Sequence, residues 1–344
     1  MAVTSPLAAV DVGSNTIHLV VARPTDDGRG LVTLADELDM TRLGADISAH
    51  GALSPERMAR AIAVLKDQQA RADSLGAAEL LLIGTEAVRK AANADEFLAR
   101  IQSELGVTLR LVSGEQEAAL TYWGATSGLS SADDERRAVL DLGGGSMEVV
   151  VGEGSRILWR VSLPLGSGAM HDRYAPSDPP QAAELERVRQ ETAAQLAGSH
   201  PPLPVARAIA CGGTATNLAA LAASALDIPE PAGMGSSGAT ADTDTGQPGL
   251  LTKDQLETLA SLLSKTPAAE LTQRYGIMDA RARLLGAGEA VLNAAARQLG
   301  VDALAISRRG VREGTILARL HAGDGWLDAA AKGAGWGDGS QAGD

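Results

Sequence analysis

Asp11-Val-Gly-Ser-Asn-Thr-Ile-His-Leu-Val-Val21 and Asp141-Leu-Gly-Gly-Gly-Ser-Met-Glu-Val-Val-Val151 match in pattern at a constant offset of 130 residues. Each reads as a strand, an acidic residue, a glycine-rich turn and a second strand, because apolar runs flank the turn on both sides. A repeat at this distance predicts two related halves. A Rossmann or Walker site would need a helix after its glycines and either GxGxxG or GxxxxGK[ST]. The residues after both turns are instead strand formers, and the chain contains no Gly-Lys-Ser or Gly-Lys-Thr.

The two turns carry the first chemical signal. Gly13, Gly143, Gly144 and Gly145 leave backbone N–H groups unobstructed, and Ser14, Asn15, Thr16 and Ser146 add side-chain donors, a set suited to anions. Two such tips facing each other would clamp a phosphate chain between domains. Asp11, Asp141 and Glu148 supply hard oxygen ligands of the kind Mg²⁺ takes together with substrate phosphates. By strand alternation Ser146 and Glu148 share a face, and His18 takes the place of Glu148 in the first copy. Each turn alone is also what an ordinary tight turn with a capping acid looks like; the duplication favours a site.

Outward from the turns, the chain alternates strands and helices, as a layered α/β fold requires. In the first half the expected elements are a hairpin over 7–22, a helix over 55–72, a strand over 79–85, a helix over 86–105, a strand over 107–112 and a helix over 114–124. A polar stretch, 127–137, ends this half. Strands follow at 138–151, 157–163 and 205–210, with helices near 181–197, 214–225, 253–265, 279–299 and 312–321. Domains are therefore expected at 1–128 and 136–321. The stretch Ile228–Gly249 reads as a long surface loop and 322–344 as a loose Gly- and Ala-rich tail.

Two helix starts add candidates. In Gly84-Thr-Glu-Ala-Val-Arg-Lys-Ala-Ala-Asn93, Thr85 is the expected N-cap, and Arg89 and Asn93 are expected on one face. An arginine near the positive end of a helix suits a phosphate better than it suits the helix. Glu86 is its alternative partner. In Ser113-Gly-Glu-Gln-Glu-Ala118, Ser113 and Gln116 form a capping box. Helix electrostatics alone do not choose between Glu115 and Glu117 as a base. A third turn, Cys211-Gly-Gly-Thr214, places Gly213 and Thr214 at a helix start.

Composition excludes several classes. At 344 residues the chain has length for two cores, and its 2% of aromatic residues disfavours base-stacking nucleic-acid folds. A net charge of −13 argues against nucleic acid or an anionic membrane as partner, so an anionic substrate needs a locally basic track. Arg281, Arg283, Arg308, Arg309 and Arg312 are the candidates for it. Cys211 is the sole cysteine, which fits a reducing, cytoplasmic setting. No run of about 18 apolar residues and no basic leader is read in the sequence. The Ala-rich carboxyl-terminal helices offer a homodimer surface.

Seven ordered segments, AVDVGSNTIHLVVA, GTEAVRKAAN, VSGEQEAALTYWG, VLDLGGGSMEVVVG, SLPLGSG, CGGTATNLAAL and VREGTIL, together resemble the exopolyphosphatase and guanosine pentaphosphate phosphohydrolase (Ppx/GppA) family. The resemblance implies an α/β fold of two actin-like domains, of the ribonuclease H-like, sugar kinase, Hsp70 and actin superfold, with the active site in the interdomain cleft. It implies a phosphoanhydride hydrolase that releases terminal orthophosphate from inorganic polyphosphate, with Mg²⁺ or Mn²⁺ and a monovalent cation such as K⁺ as cofactors. Carried over, the catalytic base falls on Glu117, the phosphate-gripping arginine on Arg89, and the metal and water-organising acids on Asp11, Asp141 and Glu148. Gln116 departs from a glutamate common beside the base, Glu86 from a small residue, and Arg283 from an aspartate. The chain is similar to the short form of the family, which implies a preference for shorter polymers. Rival readings are hydrolysis of guanosine pentaphosphate or another nucleotide, a non-catalytic polyphosphate or nucleotide sensor, and a kinase on the same superfold.

Overall fold

The computed structural model describes residues 5–26, 30–45, 47–129, 135–226, 249–333 and 335, apart from the side chains of residues 48 and 49. The chain divides into two units, residues 1–128 with 311–333, and residues 129–310 with 334–344. All but the last residue of the expected 228–249 loop lies outside the described residues, as do 334 and 336–344 of the expected tail.

The first unit contains β1 (Leu7–Val12), β2 (Thr16–Pro24), β3 (Leu31–Met40), α1 (Ile47–His50), α2 (Pro55–Ser74), β4 (Leu80–Gly84), α3 (Glu86–Lys90), α4 (Ala94–Leu105), β5 (Leu109–Leu111) and α5 (Gly114–Thr126). Its sheet runs β3-β2-β1-β4-β5, with β1, β2 and β3 antiparallel and β4 and β5 parallel to β1. Most residues of β1 and β2 are buried, 7–10, 12, 17 and 19–22, because the sheet is covered on both faces. The core is aliphatic, with the lone phenylalanine, Phe97, fully buried in it.

The second unit contains β6 (Arg136–Leu142), β7 (Met147–Glu153), β8 (Arg156–Leu163), α6 (Ser167–Tyr174), α7 (Ala182–Gly198), β9 (Arg207–Cys211), α8 (Gly212–Ala225), β10 (Gly249–Thr252), α9 (Lys253–Leu263), α10 (Ala268–Tyr275), α11 (Asp279–Leu299) and β11 (Ala303–Ile306). Its sheet runs β8-β7-β6-β9-β11, the order of the first sheet, and adds β10 antiparallel at the far edge. The offset of 130 recurs in the register: Asp11 faces His18 and Asp141 faces Glu148. Even the irregularities match, at Val21/Ala22 and at Val151/Gly152.

The carboxyl-terminal segment differs from expectation. α12 (Val311–Ala322), a 3-10 turn (Gly323–Gly325) and α13 (Trp326–Lys332) belong to the first unit, so a second domain over 136–321 does not describe the fold. Residues 322–333 are not a loose tail: Trp326 and Ala330 are buried where α13 packs on α5 and α12. Apolar burial at these two positions offsets the weak helix preference of the flanking glycines. The helix expected over 86–105 is broken. Ala91 is extended, and Asn93 exchanges hydrogen bonds with the Leu53 backbone, accepting from its N–H and donating to its carbonyl, each at 2.9 Å. Asn93 therefore does not share a helix face with Arg89.

Candidate active site

Both glycine-rich turns are built alike. Gly13 N–H donates to the Thr16 carbonyl, and Gly143 N–H to the Ser146 carbonyl, each at 3.0 Å. The carbonyls at each tip are then consumed from outside. Arg42 and Gly44 donate to Asn15 and Ser14, at 2.9 and 2.8 Å. In the second unit the start of α6 does this work: Ser167 and Ala169 donate to Gly143 and Gly144, at 2.9 and 3.0 Å, and Gly166 to Gly145 at 3.3 Å. With their carbonyls turned toward these donors, the tips keep their amides for another partner. Among the described residues the N–H groups of Ser14, Asn15, Gly144 and Gly145 have none. Exposed, unpaired amides on a fixed turn form an anion-binding concavity. Gly166 is what lets α6 come so close, since a Cβ there would stand 2.4 Å from the Gly144 and Gly145 backbone.

The three carboxylates lie beside these turns. Asp141 and Glu148 are directly opposite on β6 and β7, so their side chains share one face. Ser162 Oγ donates to Glu148 Oε1 at 2.7 Å and fixes it. In the first unit, Asp11 takes a hydrogen bond from the Thr85 side chain, while its Oδ1 is buried with no hydrogen-bond partner. Desolvation raises the Asp11 carboxyl to about 6, against the opposing pull of Arg312 and Thr85. Thr85 thus serves Asp11 rather than capping its helix. An orphaned carboxylate oxygen and an all-oxygen pair fit a hard divalent cation. Among the described residues no group of three or more metal-ligating side chains comes together.

His18, opposite Asp11, is committed elsewhere. Its Nε2 lies 2.5 Å from Asp36 Oδ1, and Arg312 Nη1 donates to the same oxygen at 2.8 Å and to the Leu19 carbonyl at 3.4 Å. Burial works against the Asp36 charge, but the hydrogen bond from His18 and the Arg312 guanidinium outweigh it and hold this carboxyl well below its usual range. Arg312 is itself buried, so it is not part of a solvent-facing basic track.

Arg89 and Glu117, 28 positions apart in sequence, meet. Arg89 Nη1 donates to the Val112 carbonyl at the end of β5, which swings the guanidinium to 3.7 Å from Glu117 Oε2. Glu117 sits in the first turn of α5 behind the expected capping box: Gln116 N–H donates to Ser113 Oγ at 3.2 Å and Ser113 N–H to Gln116 Oε1 at 2.8 Å. Both charged groups keep partial exposure, with 33% and 21% of their side chains accessible. Glu86, expected as the competitor for Arg89, pairs with Lys90 instead.

The third turn opens α8. Gly212 has φ +89, where a side chain would be strained, and a Cβ would stand 2.9 Å from Asp141 Oδ1. Gly213 is covered by Arg281: a Cβ there would collide with Nη1 at 2.3 Å. Thr214 Oγ1 donates to Ser167 Oγ at 3.2 Å, tying α8 to α6. The Arg281 guanidinium has no carboxylate or hydrogen-bond partner among the described residues, and desolvation lowers its pKa. The sequence suggested Arg281 only as one of five track arginines; its seat over Gly213 depends on how α11 meets α8. Arg283, two residues on, turns away to Asp279 and Asp178 at 3.1 and 3.7 Å. Arg309 lies in the 307–310 loop, where its N–H donates to Ser307 Oγ at 3.1 Å, and Arg308 is exposed beside it.

Two similarly ordered sheets, each with a glycine-rich turn whose amides are unpaired and a carboxylate beside it, define a two-domain actin-like α/β protein. The sequence profile of the Ppx/GppA phosphatase family matches residues 20–322, and the chain belongs to that family. It is thereby a hydrolase. It is 31% identical over 322 residues to exopolyphosphatase 1 of Mycobacterium tuberculosis, covering 91% of this chain and 88% of that one. The Mycobacterium leprae exopolyphosphatase 1 is 30% identical over 320 residues, at 91% and 89% coverage. Among solved structures, the Aquifex aeolicus Ppx/GppA family member superposes with a TM-score of 0.78 at 26% identity, covering 93% of this chain and 99% of that one. Among the described residues no helix is long and apolar enough to cross a membrane.

Proposed function

We propose that the protein is an exopolyphosphatase that hydrolyses the terminal phosphoanhydride of inorganic polyphosphate. The observation that carries this reading is the approach of Arg89 to Glu117, in a chain whose two turns hold free amides ready for phosphate oxygens. Relatives with the same name over most of this length support it. In this reading the amides of Ser14, Asn15, Gly144 and Gly145 receive phosphate oxygens, and Arg89 and Arg281 add charge-assisted bonds. Glu117 orients a water and takes one of its protons as the water oxygen bonds to the terminal phosphorus. The bridging P–O bond breaks, orthophosphate leaves, and the shortened chain keeps the bridging oxygen. Within the second unit Asp141 and Glu148, opposite one another on β6 and β7, would be the donors for Mg²⁺, which when bound would offset the charge of the phosphates. A phosphoanhydride leaving group needs little further help.

We further propose a preference for shorter polymers. Two arginines of the expected track are spent within the protein, Arg312 on Asp36 and Arg283 on Asp279. The test is orthophosphate release with Mg²⁺ from short polyphosphate, long polyphosphate, guanosine pentaphosphate and ATP, by the wild type and Glu117→Gln. Release from polyphosphate, falling by about 10²- to 10⁴-fold in the variant, is the expected result. A loss of less than about tenfold in a folded variant removes Glu117 from the base role. Release from the nucleotides alone would replace the polyphosphate reading.

A further inference from the structure

The carboxyl-terminal helices touch the helix that carries Glu117 in two places. Gly314 of α12 lies against the α5 backbone so closely that a Cβ there would stand 1.7 Å from the Leu120 carbonyl oxygen and 2.5 Å from its carbon. Leu120 is one turn beyond Glu117. At the other contact, Gln116 Nε2 donates to the Leu327 carbonyl of α13 at 3.1 Å. Gln116 therefore does two jobs with one amide: its oxygen closes the capping box and its nitrogen ties α13 to the first turn of α5. A glutamate could keep the first job. It has no proton for the second and would set a carboxylate oxygen against a carbonyl. α13 is otherwise held by the buried Trp326 and Ala330.

We propose that α12 and α13 position Glu117, with Gly314 as the seat of α5 and the Gln116 to Leu327 hydrogen bond as its tie, so that Gln116 is a positioning residue of the hydrolytic site. The proposal rests on Glu117 being the base. A base works only within a few tenths of an ångström of its water, and a displacement of about 1 Å costs on the order of 10²-fold in rate. A tie at the residue next to the base fixes that displacement where the cap alone fixes only the helix start.

The experiment compares Gln116→Glu and Gln116→Met in the full chain, reading kcat, KM for polyphosphate and the thermal midpoint. Both variants lose the tie, and only methionine loses the box. Both are expected to lower kcat by about three- to tenfold with KM within about twofold, and both lower the midpoint, since each loses the tie to α13. Ala330→Glu, which pushes α13 off its seat, is expected to give a similar fall in kcat that does not deepen when combined with Gln116→Glu. A Gln116→Glu protein with wild-type kcat beside an impaired Gln116→Met would overturn the proposal, because capping would then be the whole role. The reading of Glu117 is tested separately. If Glu117→Gln is active, the base assignment fails; if it is inactive while Gln116→Glu is fully active, only the positioning fails. In the Glu117→Gln background, Gln116→Glu is expected to cost nothing more.

Discussion

Replacing Glu289 with glutamine tests the largest electrostatic burden in the second core. Glu289 lies in α11 with none of its surface exposed. Burial lifts its carboxyl from 4.5 to about 7, against the hydrogen bonds from Asn293 at 2.8 Å and Arg189 at 3.4 Å and the nearby Arg297. In the unfolded chain the group loses its proton near 4.5. Below that pH both states are protonated and the residue costs nothing electrostatically. Between 4.5 and about 7 the folded state binds the extra proton, so stability falls as pH rises, and above about 7 the loss is complete. At about 1.4 kcal/mol for each pH unit of displacement, the full loss is about 3 kcal/mol. Glutamine keeps an oxygen for Asn293 and carries no charge to desolvate, although its amide meets Arg189 less well. Urea unfolding of both proteins from pH 5 to 8 should show the variant gaining on the wild type with rising pH, by about 1 to 3 kcal/mol across the series. A difference that does not change with pH would refute the reasoning.

Two further substitutions probe the phosphate-holding groups. Gly166→Ala adds a Cβ 2.4 Å from the backbone of Gly144 and Gly145 at a backbone conformation alanine can adopt, so the effect is purely steric. It should cost about 1 to 3 kcal/mol in thermal or urea unfolding and raise KM for polyphosphate as the second tip is displaced. Arg281→Gln removes an unpaired guanidinium without breaking an ion pair. KM should rise by about tenfold or more with kcat little changed, since a charged hydrogen bond is worth about 1.5 to 3 kcal/mol; an unchanged KM would take Arg281 out of the site.

Legibility in the sequence followed the range of the forces involved. The duplicated turns were readable because strand, acid and glycine are local signals, and their register in the structure keeps the offset of 130. The capping box at Ser113 and Gln116 is equally local. β3 is not legible because its 31–40 sequence carries three carboxylates, Asp36, Glu37 and Asp39, poor strand formers that an edge tolerates. The break at Ala91 depends on Asn93 reaching Leu53, 40 positions away, and the approach of Arg89 to Glu117 depends on the Val112 carbonyl. Arg281 and Arg283 look alike in sequence, yet one covers Gly213 and the other pairs with Asp279. Helix periodicity shows that both are on α11 and not which neighbour each meets.

The return of residues 311–333 to the first unit reverses the order of completion during synthesis. α5 is buried from Ala118 to Ala125, on all sides, and part of that cover is α12. While the ribosome makes residues 129–310, the nascent amino-terminal half holds Leu120 and its neighbours without their lid. The second unit has most of its chain available before the first can close. Apolar surface left waiting in this way attracts chaperones or aggregates. A premature stop before residue 311 would therefore damage the half of the protein that was made first.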